Sequence, residues 1–470
     1  MHTLYNIEDL EGWDRRIQEK ALEFGLDCFP QQFEICDHKQ MLSSMAYSGL
    51  PSHYPHWSFG KMYEKQKTLY DYGVSGLPYE MVINSNPALA YLMRDNTLLL
   101  QILTIAHVYG HNDFFKNNVS FKSTHPEYAI DTFKTHRDRI RSYIEDPSIG
   151  LENVESLLDA AHAVSLQCRR NLAVRQRTID EERASLMESA QPPVDPFQSI
   201  HRRESFTPPD LNKVPPAPDE NLLLFIRDHN PNLAMWQRDV LTIVHEEAQY
   251  LLPQIETKIM NEGWATYWHK KILDSLELPE DLHLEFIVRH NQVVRPFEAG
   301  LNPYHIGLAV WQDIYMKSQI SSGDGKDIGK EKLFEVRECD RDSSFIRRFL
   351  TEELLRQLNL FEYETKDDQT VVKNVADSAG WTHVKAALLR SVGMNTVPVI
   401  RVEDADFGHN HTLYLVHSHD GRELELKYAE MTLAYLSRLW HGEVVLETIL
   451  DGKEHLLSHD QSGFSIKLLQ

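Results

Sequence analysis

The chain has 470 residues, 42% hydrophobic and 25% charged, an ordinary balance for a soluble globular protein with enough material for two or three domains and a large core. Lys+Arg 48 against Asp+Glu 70 gives a net charge of −22, which argues against non-specific nucleic-acid binding and against docking on anionic membranes. No apolar run approaches the ~18 residues needed to span a bilayer, the N-terminus lacks the basic and apolar regions of a signal peptide, and the four cysteines (Cys28, Cys36, Cys168, Cys339) form no CxxC pair, which fits a reducing cytoplasm and disfavours a cysteine zinc site.

Residues 8–30 read as a roughly amphipathic helix through Leu10, Trp13, Ile17, Leu22 and Phe24. Tyr54–Gly60 is an aromatic loop followed by a helix rich in Lys and Tyr. Tyr79–Asn84 reads as a short buried strand, after which Pro87 opens the next helix. The helix over 97–115 is apolar nearly all round and therefore belongs inside the protein. Residues 151–189 form one or two long helices, with Val154, Leu157, Leu158, Ala161, Val164, Cys168 and Leu172 facing inward. Residues 191–220 collect eight prolines and read as an extended surface linker.

Beyond the linker, Leu222–Arg227 and Met235–Tyr250 read as helices separated by a stop-and-restart at His229-Asn-Pro231. A further helix covers 256–273, and Asn302–Gly307 leads into another. Ser321–Gly329 reads as a flexible loop and Ser343–Leu358 as a surface helix. From about 396 the texture changes. Val397–Val402, Thr412–His417 and Leu424–Tyr428 alternate like strands, with Asp420-Gly421 as a hairpin turn; 430–440 is helical; Val444–Leu450 and His455–Leu457 flank a second Asp-Gly turn. The expected division is 1–190 (mainly helical), 191–220 (linker), 221–320 (a helical region packing on the first), 321–395 (a helical connector) and 396–470 (a small α+β domain). The expected fold class is α+β with a mainly helical core. No internal repeat is present.

The chemistry concentrates in three segments. His107 and His111 stand i, i+4 on the apolar helix, so both imidazoles share one face. With 24 histidines in 470 residues, chance alone supplies about one such pair, and His455/His459 is another. Context distinguishes the first: two imidazoles on an apolar helix need partners, because an unpaired buried polar group costs about a few kcal/mol. A metal, a carboxylate or a backbone carbonyl would serve. The second segment is Val244-His-Glu-Glu-Ala-Gln249, where His245 offers a ligand and Glu246 or Glu247 a general base. The HExxH zinc-peptidase pattern places its base directly after the first ligand. Here Val108 holds that place after His107, and Gln249 stands where a second histidine would follow His245-Glu246, so neither segment is a complete HExxH. The plain alternative pairs Glu246 and Glu247 with arginines such as Arg238 or Arg295. The third segment is Asn261-Glu262-Gly263-Trp264-Ala265, with His269 seven residues after Glu262, about two turns on and on the same face. Gly263 lets a neighbouring backbone approach closely, and the plain alternative is a packing helix with Glu262 in a salt bridge.

Together the segments supply a His-His-Glu metal site: His107, His111 and Glu262 as ligands, with His245 as a further one. Glu246 or Glu247 would activate water, and His269 or His245 would orient or protonate. Glu80 and Asp113 could complete a dinuclear site, although Asp113 also suits the end of a helix. His409, His411, His417 and His419 read as an exposed strand pair. Lys61, Lys116 and Arg295 are single cations that could meet an anionic group. No Gly-rich phosphate loop, GxSxG elbow or Cys-His pair appears.

Several longer motifs carry a resemblance: Pro55-His-Trp-Ser-Phe-Gly-Lys61, Val82-Ile-Asn-Ser-Asn-Pro87, His107-Val-Tyr-Gly-His-Asn-Asp-Phe-Phe-Lys-Asn-Asn118, Trp236-Gln-Arg-Asp239, Glu246-Glu-Ala248, Thr257–His269, Asn302-Pro-Tyr304 and Asp342-Ser-Ser-Phe345. The chain resembles the stage V sporulation protein R (SpoVR) family over nearly its whole length. The resemblance implies a cytoplasmic bacterial protein linked to building the spore cortex peptidoglycan. It further implies an AAA+ serine protein kinase and a von Willebrand-like protein as partners, and it leaves the reaction open. The resulting expectation is a metal-dependent hydrolase of amide bonds with zincin-like metal-site helices, holding Zn²⁺ or another divalent metal. Two alternatives stand beside it: a non-catalytic regulator or scaffold working with that kinase, and a dinuclear carboxylate site built from Glu80, Glu246 or Glu247, and Glu262. Nucleic-acid binding and membrane insertion are not expected.

Overall fold

The computed structural model describes residues 5–74, 76–170, 175, 177–190, 210, 213–297, 300–320, 327–366 and 369–469. Helix α1 (Ile7–Glu23) starts at a reciprocal capping box between Asn6 and Asp9. It ends at Glu23, short of the expected end at residue 30, and Gln31–Cys36 follows as a strand, β1. The left-handed Gly25 (φ +83°) supplies the stop. Helices α2 (His38–Ala46) and α3 (Trp57–Asp71) follow, then β2 (Glu80–Ile83) and β3 (Ala88–Met93). Pro87 therefore precedes a strand rather than opening a helix. β3 lies between the other two strands, parallel to β1 and antiparallel to β2, so both its edges are paired. Helix α4 (Leu98–Asn117) is capped by Thr97 and is buried from Leu99 to Phe115. Then come α5 (Ala129–Glu145), α6 (Leu151–Ala163) and α7 (Ile179–Ser189). Val154, Leu157, Leu158, Ala161, Val164 and Cys168 are buried as the three- and four-residue spacing requires; Leu172 lies outside the described residues.

Most of the proline-rich stretch, 191–209 and 211–212, is also outside the described residues. Helices α8 (Leu222–His229), α9 (Met235–Glu256), α10 (Lys258–Ser275), α11 (Glu280–Val293), α12 (Pro303–Ile320) and α13 (Ile328–Cys339) come next. The expected 321–329 loop is thus helical from Ile328, and 321–326 is not described. The expected 343–358 helix is two, α14 (Asp342–Phe349) and α15 (Glu352–Gln357), because Thr351 caps a new start. It is not a surface element: Phe345, Ile346, Leu354 and Leu355 are buried. A hairpin of β4 (Phe361–Lys366) and β5 (Gln369–Val375) leads to α16 (Trp381–Arg390).

The C-terminal part consists of β6 (Ile400–Phe407), β7 (Thr412–His417), α17 (Leu426–Trp440), β8 (Val444–Leu450), β9 (Lys453–Asp460) and β10 (Gly463–Leu468), in one sheet ordered β10-β9-β8-β7-β6. β7 and β8 are parallel, which requires the α17 crossover between them. Leu424–Tyr428 is not a strand: Glu425 accepts from the amides of Lys427 and Tyr428 and so starts α17. The end of the expected linker also has structure. Asp219 exchanges backbone hydrogen bonds with Val402, and Val214 accepts from Ala405, so this stretch lies along β6.

Contacts divide the chain into two units, each of two stretches. Unit 1 is residues 1–142 with 249–396; unit 2 is 143–248 with 397–470. The architecture is α+β and mainly helical. No described helix is long and apolar enough to cross a membrane.

Candidate metal centre

In unit 1 the helices α4, α10 and α12 pack at backbone contact, and glycines make that possible. A β-carbon on Gly110 would lie 2.5 Å from the Ala265 α-carbon, and one on Gly263 would lie 2.4 Å from the backbone of Gly307. Any larger residue forces the helices apart. Two tethers fix the rotation of α10. The Trp264 indole donates to Asp113 Oδ2 at 2.9 Å, and the Trp311 indole donates to the Met260 carbonyl at 3.0 Å. Asp113 also holds Arg337 at 2.8 Å and accepts from the Asp27 amide. It therefore ties α4, α10 and α13 together, and these contacts give it a structural role rather than a place in a dinuclear set. The N-terminus of α10 has no side-chain cap of its own; Asp342 supplies one from α14, accepting from the amides of Ile259 and Met260 at 2.9 Å each.

This packing brings His107 and His111 from α4 against Glu262 from α10. His107 Nε2 stands 3.6 Å from Glu262 Oε2, and His111 Nε2 stands 3.5 Å from the same oxygen. Both separations are long for hydrogen bonds. They match the spacing of ligand atoms around a shared metal: bonds of about 2.1 Å in a tetrahedral site set neighbouring ligand atoms about 3.4 Å apart. His107 Nε2 and Glu262 Oε2 are buried, and among the described residues neither atom has a hydrogen-bond partner. The opposite ring nitrogens are occupied: His111 Nδ1 bonds Asn261 Oδ1 at 2.8 Å, and His107 Nδ1 bonds His269 Nδ1 at 3.0 Å. Nδ1 atoms anchored by a partner, with the Nε2 atoms converging on one carboxylate oxygen, are how metal-binding histidines are held. The donor set therefore fits a divalent cation.

Glu80, on β2, lies at the same place. Its carboxylate and the nitrogens of His107 and His111 fall within 4.8 Å of one another. Burial pushes the Glu80 carboxyl up to about 7, against the pull of His107. Burial also raises Glu262, but His107, His111 and Tyr304 outweigh it and hold the carboxyl below its ordinary range. Burial drives His111 down to about 4 and His269 well below its usual value. The Tyr304 hydroxyl, from the first turn of α12, hydrogen-bonds the Glu262 carboxylate, and the charge of Glu262 is the main cause of its raised pKa.

His269 reaches His107 from two turns beyond Glu262, as the seven-residue spacing requires, and its Nε2 bonds His290 Nδ1 at 2.9 Å. His245, Glu246 and Glu247 belong to unit 2, where burial and Arg227 lower His245 to about 4 and Glu246 pulls it up. Two of the single cations have local partners: Lys116 pairs with Asp27, and Lys61 stands over the Trp57 ring at 5.5 Å. A cavity of about 500 Å³ elsewhere in unit 1 is lined by Leu301, His305, Ile306, Leu360, Phe361 and Arg390 and contains none of the metal-site groups.

Reading the sequence alone misses Asn261, His290 and Tyr304 as site residues. Asn261 sits beside Glu262 and Tyr304 inside Asn302-Pro-Tyr304, so motif membership was a signal for both. His290 has none: it is one histidine on an ordinary amphipathic helix.

The family described as "SpoVR like protein" matches residues 5–397, and the one described as "SpoVR-like C-terminal domain" matches residues 398–451. A protein of Escherichia coli (strain K12) named "Uncharacterized protein YcgB" is 34% identical over 472 aligned residues, covering 94% of this chain and 92% of that protein. No solved structure matches the chain.

Proposed function

The chain belongs to the SpoVR family, and we propose that unit 1 is a metal-dependent hydrolase of amide bonds, with His107, His111 and Glu262 as the ligands of one divalent cation. The observation that carries this reading is the convergence of two buried, unpartnered atoms and a third anchored imidazole at metal-ligand spacing. Bound there, a divalent cation supplies Lewis-acid polarisation. The protein's own groups do the rest. Asn261 and His269 orient the two imidazoles. Tyr304 holds the Glu262 carboxylate and presents a hydroxyl beside the centre. Glu80 is the base we place there rather than Glu246 or Glu247, because it lies in the same unit with its carboxylate beside both histidines. Its carboxyl takes a proton from the attacking water and returns it to the leaving amine. Zinc suits the nitrogen and oxygen donors, and iron suits the same two-histidine, one-carboxylate set.

The family's name points to sporulation. The proposed substrate is accordingly an amide-containing molecule, such as a peptidoglycan precursor peptide of the spore cortex or a regulatory protein. A cytoplasmic site of action, beside an AAA+ serine protein kinase and a von Willebrand-like protein, belongs to the same proposal. A second reading has one observation in its favour: Glu80 and Glu262 are two carboxylates at one pair of histidines, as a dinuclear site needs.

Elemental mass spectrometry of the untagged protein tests both. The expected result is one zinc per chain, lost in His107→Ala and Glu262→Ala while circular dichroism stays native, with amide hydrolysis lost in Glu80→Gln. Two iron or manganese per chain would replace the hydrolase with the dinuclear reading. No metal, with variants that change only stability, would sink both and leave a regulator or scaffold.

A further inference from the structure

Three histidines form a continuous hydrogen-bonded line in unit 1. His107 Nδ1 meets His269 Nδ1 at 3.0 Å, and His269 Nε2 meets His290 Nδ1 at 2.9 Å. They come from three helices, α4, α10 and α11, and all three rings are buried. His290 is the far end, wedged against Phe286 with ring centroids 5.9 Å apart. It touches the metal set through His269.

A neutral imidazole carries one proton, so each ring donates at one nitrogen and accepts at the other. The line therefore has two orientations. In one, His107 donates from Nδ1 to His269, and His269 donates from Nε2 to His290. His107 Nε2 then has a free lone pair facing Glu262 Oε2. In the other, every proton is reversed, and His107 Nε2 carries a hydrogen where a ligand lone pair is needed. Only the first lets His107 bind a cation. The first orientation needs an acceptor at the far end of the line: with its own proton on Nε2, His290 accepts the His269 Nε2 proton at Nδ1, which leaves His269 Nδ1 to accept from His107. His111 is fixed in one step, because the Asn261 oxygen can only accept.

We propose that His290 is a positioning residue: acting through His269, it holds His107 in the tautomer whose Nε2 binds the metal. This rests on the metal reading above. Partners of this kind change metal affinity by about 10–100-fold when removed, because they set ring orientation and ligand basicity.

The test is Zn²⁺ affinity of the full-length protein, by competition with a chromophoric chelator, for wild type, His290→Phe and His290→Asn. Phenylalanine fills the space beside Phe286 and accepts no proton. Asparagine places its side-chain oxygen where Nδ1 stood. The expected result is a loss of about 10–100-fold in His290→Phe, with His290→Asn close to wild type. A structural role alone would not separate the two in this way, because asparagine fills less of the space beside Phe286 than phenylalanine does. A second readout is the ¹⁵N imidazole spectrum of zinc-loaded wild type, which is expected to show His269 protonated at Nε2. Zinc binding unaffected by either variant, an equal loss in both, or His269 protonated at Nδ1 would overturn the positioning role and leave the metal centre standing. Wild type that binds no Zn²⁺ would overturn the metal centre itself.

Discussion

Histidines cluster in both units, and the two clusters behave in opposite ways. In unit 1, His107 and His111 are buried on α4, each anchored through Nδ1, with their Nε2 atoms converging on one carboxylate. In unit 2, the sequence brings His409, His411, His417 and His419 to neighbouring stretches around β7, yet they do not converge on one carboxylate as His107 and His111 do. His411 stacks on Trp440, with ring centroids 4.6 Å apart, and His409 leans toward Asp406 at 3.5 Å. His417 bonds Thr448 at 2.9 Å, while the His419 ring lies edge-on to it at 5.8 Å between centroids. Density of histidine along a sequence is therefore a poor guide to a metal site. What matters is whether a rigid frame points several lone pairs at one spot: His411 Nε2 and His419 Nε2 are buried and unpartnered too, but among the described residues it is Glu80, His107 and His111 that gather at ligand spacing.

That contrast is open to attack, starting with the largest effect. If the proposed centre takes zinc, zinc at about 1,000-fold over its Kd should stabilise the folded protein by about 4 kcal/mol. Chelation should remove this and increase hydrogen exchange in α4 and α10, with β6–β10 unchanged. Equal loosening of both units would erase the distinction. Next is the helix contact that makes the site. Gly263→Val sets a side chain against the Gly307 backbone and should cost about 3 kcal/mol or more, abolishing metal binding with it; denaturant melts and metal content together report this. Third, Asp342→Ala leaves two buried amides of α10 without an acceptor. It should cost about 2 kcal/mol, measured by urea denaturation.

The same aspartate carries a pH signature. Burial pushes the Asp342 carboxyl up to about 7, against the pull of the two amides. Between about 4 and 7 the folded state then holds a proton that the unfolded state has released. Its contribution to stability falls as pH rises through that window, with a slope of up to about 1.4 kcal/mol per pH unit. Urea melts of metal-free protein should show this slope, and Asp342→Asn should lack it. The smallest effect belongs to unit 2. His417→Ala loses one hydrogen bond to Thr448 and should cost about 1 kcal/mol, with metal content untouched. A drop in metal content there would contradict the comparison directly.

Much of the helical framework was legible in advance. The all-round apolar run of α4, the start of α9 at Met235, the α10 segment and the Asp451-Gly452 turn between β8 and β9 all stand where periodicity and turn chemistry put them. The misses share a cause. β1 and β3 are six-residue strands whose pairing partners lie more than fifty residues apart, and β4 and β5 are mostly polar, so local pattern does not separate them from coil or helix ends. The site was legible in part. His107, His111, Glu262 and His269 stood out by spacing and by burial of polar groups, and Glu80 stood out weakly. Nothing in the spacing around His245 could show that His245, Glu246 and Glu247 fall in unit 2 while Glu262, on the very next helix, falls in unit 1.

The sequence by itself determined which side chains share a helix face, because backbone periodicity is local: His107 with His111, and Glu262 with His269. It also offered Gly263 as a place where a neighbouring backbone could approach closely. Which atoms meet across helices was left to tertiary packing. Packing of Gly110 against Ala265 and of Gly263 against Gly307 set α4, α10 and α12 side by side with His107 and His111 facing Glu262, and tertiary packing likewise brought Asp342 to amides more than eighty residues away and His290 to the end of a line of imidazoles. Such pairings follow from the shapes of whole surfaces fitting together, and no window of sequence contains them.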